Sequence, residues 1–176
     1  MIILGDIGNT ETKICLVKND RIIKKILIPS KGKKTHILDK NFKKFQFTKL
    51  EKILFCSVVP SSFKELKNYF AKKTKIRCFE LKELDLRSIL KINVNYKQVG
   101  SDRLANAISV STSNKNFIIL DFGTATTFDV LVKNTYYGGI IAPGVRLSLN
   151  TLSDKATLIP KIDLKKINKV IGNNTI

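Results

Sequence analysis

Short apolar runs at 2–4, 12–17 and 22–28, separated by Gly, Asn and Asp and closed by Pro29, open the chain. Runs of that length between turn residues read as successive strands. Asn19-Asp20 suits the tight turn between the second and third, so an antiparallel meander is predicted. The polar, basic stretch 30–50 has no periodicity that predicts an element. Beyond it, 53–59 reads as a buried strand, a helix capped by Ser61 or Ser62 runs to about Ala71, and 76–79 reads as another strand. Strand, helix and strand in that order predict a crossover unit. A short helix is expected near 84–90, and a longer one starts at Ser101, with Ser101 as its cap and Asp102 favouring the positive end of its dipole. After that come strands at 117–120 and 126–132, a strand in "YYGGIIAPG", a helix over 145–152, and a mixed tail with a helix start near Asn173.

One pattern occurs twice. "DIGNTETKICLV" at 6–17 is echoed by "DFGTATTFDVLV" at 121–132, matching Asp6 with Asp121, Gly8 with Gly123, Thr12 with Thr127 and Leu16-Val17 with Leu131-Val132. Both copies fall where an apolar strand gives way to a turn, so two related lobes are expected, 1–112 and 113–176. An acidic side chain at the end of an apolar strand is costly unless a cation or donors await it. Glycine two residues later clears space for something to approach the backbone. The hydroxyls that follow, with the turn amides, are suited to phosphate, while a carboxylate can hold a metal ion or its waters. Two such turns facing each other would hold one polyphosphate from both sides. Neither G-x-x-x-x-G-K-[ST] nor G-x-G-x-x-G occurs.

Composition changes this picture little. A chain of 176 residues with 43% apolar and 26% charged residues can bury a real core. The net charge of +18 would suit nucleic acid, but the lysines are spread along the chain. In "KKFQF", Phe45 and Phe47 alternate as on one face of a strand rather than as a base-stacking platform. A lysine-rich solvated surface, whose field favours an anionic nucleotide, is the expectation. Cys15, Cys56 and Cys78 lack metal-ligand spacing and read as buried thiols, and the single His36 reads as a surface residue. No apolar run approaches the roughly 18 residues of a membrane span, and the N-terminus has no signal-peptide pattern, so a cytoplasmic protein without a membrane partner is expected.

"DIGNTETK", "GSDRLANA", "DFGTATTFD" and "GGIIAPG", in this order, resemble the type III pantothenate kinases of bacteria, relatives of acetate kinase, sugar kinases and actin. The resemblance spans nearly the whole chain. It implies an α/β fold of two related ribonuclease H-like, actin-like ATPase lobes, each a mixed sheet with flanking helices, and a nucleotide cleft between them. The implied activity is transfer of the γ-phosphoryl group of ATP to pantothenate, the first step toward coenzyme A. By resemblance, Asp6, Ile7, Gly8, Asn9, Thr10, Glu11, Thr12 and Lys13 form the first ATP-binding turn, with Asp6 positioned for Mg2+. Thr124 contacts ATP, and Asp121 binds a monovalent cation, K+ or NH4+. Gly100, Ser101, Asp102 and Arg103 match the pantothenate-binding stretch, with Asp102 as proton acceptor, and Thr175 matches a further substrate contact. A homodimer is implied as well.

The chain departs from the family pattern where Asn93 and Tyr96 stand near an expected tyrosine and proline, and where Glu11 adds a negative charge to the phosphate turn. Family members also continue for some dozens of residues past this chain's last position, which implies C-terminal truncation and an incomplete second lobe. Two other readings stand beside the kinase: a non-catalytic regulatory relative, and a basic nucleic-acid-binding protein. Retention of Asp6, Asp102, Arg103 and Asp121 speaks against the first.

Overall fold

The structure, a computed structural model, describes residues 1–32, 34–111, 115–162 and 164. Its first part comprises β1 (Ile2–Ile7), β2 (Glu11–Lys18), β3 (Arg21–Pro29), α1 (Thr35–Phe42), β4 (Lys52–Ser57), α2 (Pro60–Ala71) and β5 (Cys78–Glu80). Its second comprises β6 (Lys91–Ile92), α3 (Ser101–Val110), β7 (Asn116–Phe122), β8 (Ala125–Val132), β9 (Thr135–Pro143) and α4 (Val145–Lys155). The strands form two mixed sheets, ordered β3-β2-β1-β4-β5 and β6-β9-β8-β7.

In the first sheet β1, β2 and β3 run antiparallel as the pattern predicts, and β4 and β5 join in parallel through the α2 crossover. Alternation assigns the faces: Ile3, Ile7, Ile14 and Phe55 point into a core closed by α1 and α2, where Leu66 and Phe70 meet them. Gly5 lies on that inner face because the Phe55 ring occupies the space of a side chain; a Cβ there would come within 2.0 Å of Phe55 Cε1.

Several local expectations give way to tertiary contacts. Helix α1 occupies part of the stretch where no element was predicted, held by Leu38 and Phe42 one turn apart on its buried face. Phe45 and Phe47 are not on a strand; their rings pack edge-on to each other and against Phe42, sealing the core. Neither serine caps α2. Pro60 opens the helix, and Ser62 is buried with its hydroxyl donating to the Ser30 carbonyl at 2.7 Å. No helix forms at 84–90: Leu86 and Leu90 are buried four residues apart, as on a helix, but the chain makes a single turn there, with Arg87 forked onto Asp85. Of the three free cysteines only Cys78 is buried, Cys15 and Cys56 being half-buried; His36 is exposed.

The second sheet repeats the meander. Asn19-Asp20 and Lys133-Asn134, all with positive φ, close equivalent two-residue turns. The short β6 adds beside β9 in parallel. Helix α3 lies between the sheets. Its Leu104 and Ala107 join Leu131 and Tyr136 in the second core, and partly buried Leu54 and Cys56 of β4 pack against that cluster. This placement delivers the first turn of α3 to the junction of the two repeated hairpins.

Candidate active site

The two hairpin tips meet. Gly8, Asn9 and Thr10 connect β1 to β2, Gly123 and Thr124 connect β7 to β8, and the hydroxyls of Thr10 and Thr124 share a hydrogen bond of 3.1 Å. Each tip is closed by its glycine amide, Gly8 donating to the Glu11 carbonyl at 3.1 Å and Gly123 to that of Ala125 at 2.9 Å. Between them lies a cleft of about 320 Å³, lined by Asp6, Asn9, Glu11 and Lys13 from one hairpin, Asp121, Thr124 and Thr127 from the other, and Asp102 of α3.

The first connection is one residue longer than the second. Thr12 therefore stands opposite Ile7 as Thr126 stands opposite Phe122, so the counterpart of Thr12 is Thr126, one position from the match the sequence suggests. Both threonines are buried, and Thr12 spends its hydroxyl on Ser30 at 2.9 Å. The side chains of Thr12 and of Ile7, which belongs to the core, do not reach the cleft.

Four carboxylates line this cleft, those of Asp6, Glu11, Asp102 and Asp121. The Lys13 ammonium lies 3.5 Å from Asp6, and Asn106 donates to Asp121 at 2.9 Å. Asp102 sits on the first turn of α3, after an extended Gly100 N-cap, and its Oδ1 accepts the Arg103 amide at 2.8 Å. Its carboxyl is held above the usual aspartate range, chiefly by burial, with the charges of Asp6 and Asp121 pushing in the same direction. Gly100 makes room for it: a Cβ there would fall 2.4 Å from Asp102 Oδ1. A carboxylate of raised basicity beside further acidic groups is chemically able to accept a proton from a hydroxyl, and the excess negative charge is suited to a cation.

The remaining expected residues are placed differently. Ser101 does not cap α3; Gly100 is the N-cap, and the buried Ser101 hydroxyl donates to Glu80. Arg103 is turned toward Asp129. Thr175 lies outside the described residues.

The structure adds residues that the sequence reasoning passed over. Asn106 ties α3 to the second hairpin, and its place four residues after Asp102, on the same helix face, was a usable signal. Gly144, the N-cap of α4, donates to the Thr124 carbonyl at 3.0 Å. A Cβ on it would lie 2.3 Å from the Gly123 oxygen, so α4 can dock its positive end against the second hairpin only through a glycine. Cys56 Sγ lies 3.7 Å from Asp6 Oδ1, and burial pushes this thiol up to about 12.

Solved structures with the same architecture include a Campylobacter jejuni protein described as a Baf family transcriptional activator, with TM-score 0.54 and 21% identity, covering 86% of this chain and 59% of that one. A Sinorhizobium meliloti protein described as a 2-dehydro-3-deoxygalactonokinase aligns with TM-score 0.50 and 10% identity over 90% of this chain and 58% of that one. Fold and twin turns together define a two-lobed α/β protein of ribonuclease H-like architecture, each lobe built on a mixed sheet. Within that class the match is specific. The family model for type III pantothenate kinase matches residues 2–176, and the chain belongs to that family, whose members phosphorylate pantothenate in coenzyme A biosynthesis. It is 60% identical over 179 residues to the type III pantothenate kinase of Pelagibacter ubique (strain HTCC1062), covering all of this chain and 72% of the relative. It is 36% identical over 188 residues to that of Sulfurihydrogenibium sp. (strain YO3AOP1), covering all of this chain and 73% of the relative. The chain spans under three-fifths of the length of the solved neighbours.

Proposed function

We propose that this chain transfers the γ-phosphoryl group of ATP to the primary hydroxyl of pantothenate, with Asp102 as the catalytic proton acceptor. The observation that carries the proposal is the meeting of the two hairpin tips beside the half-buried Asp102 carboxylate. The amides and hydroxyls of both tips grip the triphosphate, Thr10 and Thr124 exchanging their mutual hydrogen bond for phosphate oxygens. Asp102 takes the acceptor's proton as its oxygen bonds to the γ-phosphorus, the bond to the β,γ-bridging oxygen breaks, and ADP leaves.

Four carboxylates in one cleft, Asp6, Glu11, Asp102 and Asp121, carry more negative charge than Lys13 offsets, so the donor set fits a cation. Asp6 would hold Mg2+ and Asp121 a monovalent K+ or NH4+. Such ions neutralise the charge that develops on the transferred phosphoryl group.

A homodimer and a cytoplasmic location belong to the same proposal; no helix among the described residues is long and apolar enough to cross a membrane.

The test is a coupled ADP-release assay with pantothenate, ATP and Mg2+, with and without K+ or NH4+. The chain is expected to turn over, faster with either cation, and Asp102→Asn to lose about 10²-fold or more. Near-normal turnover by Asp102→Asn refutes the proton-acceptor role, and indifference to K+ and NH4+ refutes the role of Asp121.

A further inference from the structure

The second core contains a charge that the phosphate chemistry does not use. Asp129, in the middle of β8, is completely buried, and so is Tyr136 of β9. Three donors converge on a single oxygen of this carboxylate. Arg103 Nε donates to Asp129 Oδ1 at 2.9 Å, the Tyr136 hydroxyl donates to it at 2.5 Å, and Arg103 Nη2 lies 2.6 Å away in ion-pair contact. Arg103 is nearly buried as well, its side chain retaining 12% exposure.

The arrangement is lopsided. Among the described residues Arg103 Nη2 has no aligned hydrogen-bond acceptor despite its ion-pair contact, and Asp129 Oδ2 and Thr127 Oγ1 are also buried without partners. A guanidinium has two edges that can bind a carboxylate, one through Nε and one through its two terminal nitrogens. Asp129 engages Arg103 along its Nε side, and the donors left over belong to the terminal edge. A buried donor without an acceptor is costly unless a ligand supplies one. Residue 103 follows Asp102 directly on α3, so both side chains leave the same helix turn.

We propose that Asp129 and Tyr136 are positioning residues: they clamp the Nε side of Arg103 so that its terminal edge is preset for the carboxylate of the acceptor. This rests on pantothenate being the acceptor. Tyr136 fixes the Asp129 carboxylate, Asp129 fixes the guanidinium, and a long side chain that would otherwise lose rotamer freedom on binding has already lost it on folding. Selectivity for an acceptor bearing a carboxylate is thereby set from β8 and β9, on the far side of Arg103 from the substrate.

The experiment compares kcat/KM for pantothenate with that for pantothenamide, in which a neutral amide replaces the carboxylate. KM for ATP and the thermal midpoint are measured alongside. Tyr136→Phe keeps the ring and removes only the hydroxyl; Asp129→Ala removes the clamp altogether. Both variants are expected to lose roughly tenfold in preference for pantothenate over pantothenamide, the factor that follows from freeing one long side chain, while KM for ATP stays unchanged. If Asp129→Ala does not fold, Tyr136→Phe carries the test alone. Equal losses on both acceptors, or an unchanged preference, overturn the clamp and leave the kinase assignment standing. A wild-type chain that phosphorylates neither acceptor overturns both.

Discussion

Replacing Gly100 by alanine separates the position of the Asp102 carboxylate from the stability of the fold. Gly100 has φ −64° and ψ 144°, a conformation that alanine adopts freely. Two small terms then oppose each other. Alanine restricts the unfolded chain, which stabilises by about 0.4–1 kcal/mol, while an N-cap favours glycine over alanine by a similar amount. Net stability should therefore change by less than about 1 kcal/mol. The steric effect falls elsewhere. The new Cβ would lie 2.4 Å from Asp102 Oδ1, whereas ordinary contact begins at 3.4 Å, so the carboxylate must retreat by about 1 Å or rotate away. The Val58 methyl, at 3.5 Å, is not disturbed. A displacement of about 1 Å of a reacting group costs on the order of 10²-fold in rate. The assay is steady-state ADP release with pantothenate and ATP, with a thermal melt of the same preparation. The expected result is a large fall in kcat with a nearly unchanged melting temperature. A Gly100→Ala protein of full activity would mean that the carboxylate does not work from the position it occupies against Gly100, and the proton-acceptor assignment would lose its geometric support.

Further tests probe the surroundings of that carboxylate. Burial, Asp6 and Asp121 hold Asp102 above the ordinary range, and an acceptor works only when ionised, so kcat/KM should fall as pH drops through that raised value. Asp121→Asn removes one repelling charge and should move the acid limb of the pH profile to lower pH; a shift to higher pH contradicts the electrostatic account. Gly144→Ala places a Cβ 2.3 Å and 2.5 Å from the backbone oxygens of Gly123 and Thr124, neither of which can swing aside. It should cost about 1–3 kcal/mol of stability in chemical denaturation and raise KM for ATP, and a neutral result would show that α4 need not seat against the second hairpin. Ile118 and Phe122 of β7 and Ile140 of β9 each expose more than three-fifths of their surface. The native chain should therefore enhance the fluorescence of an apolar dye, and Ile118→Lys with Phe122→Lys should remove most of that signal.

The parts of this molecule legible in the sequence are those dictated by local chemistry. Asp6-x-Gly8 and Asp121-x-Gly123 announce strand-to-turn junctions, and alternation in β2 fixes the face on which Thr12, Ile14 and Leu16 are buried. What sequence reasoning missed was decided by distant partners. Ser62 and Ser101 look like helix caps, yet each is drawn into the interior by an acceptor far along the chain, the Ser30 carbonyl and Glu80. Leu86 and Leu90 have helical spacing but are anchored by one turn, because the neighbouring Asp85 and Arg87 satisfy each other. Helix α1 has just two buried apolar residues and gains its stability from the aromatic cluster around Phe42. The one-residue difference between the hairpin tips changes no residue type, so the echo matched Thr12 to Thr127, and only the pairing register identifies Thr126. Asp129 was visible as an acidic residue in an apolar strand, but its claim on Arg103 depends on the bulge between Asp129 and Leu131 and on Tyr136 arriving from β9.

The central claim, that both hairpins hold one triphosphate beside Asp102, is tested most directly by a crystal structure of the chain with a non-hydrolysable ATP analogue, Mg2+ and pantothenate. Phosphate oxygens are expected to be hydrogen-bonded to both tips, at Gly8–Thr10 and at Gly123–Thr124, with the acceptor hydroxyl about 2.6–3.2 Å from the Asp102 carboxylate. Triphosphate bound to one hairpin alone, or an acceptor hydroxyl out of reach of Asp102, would contradict it.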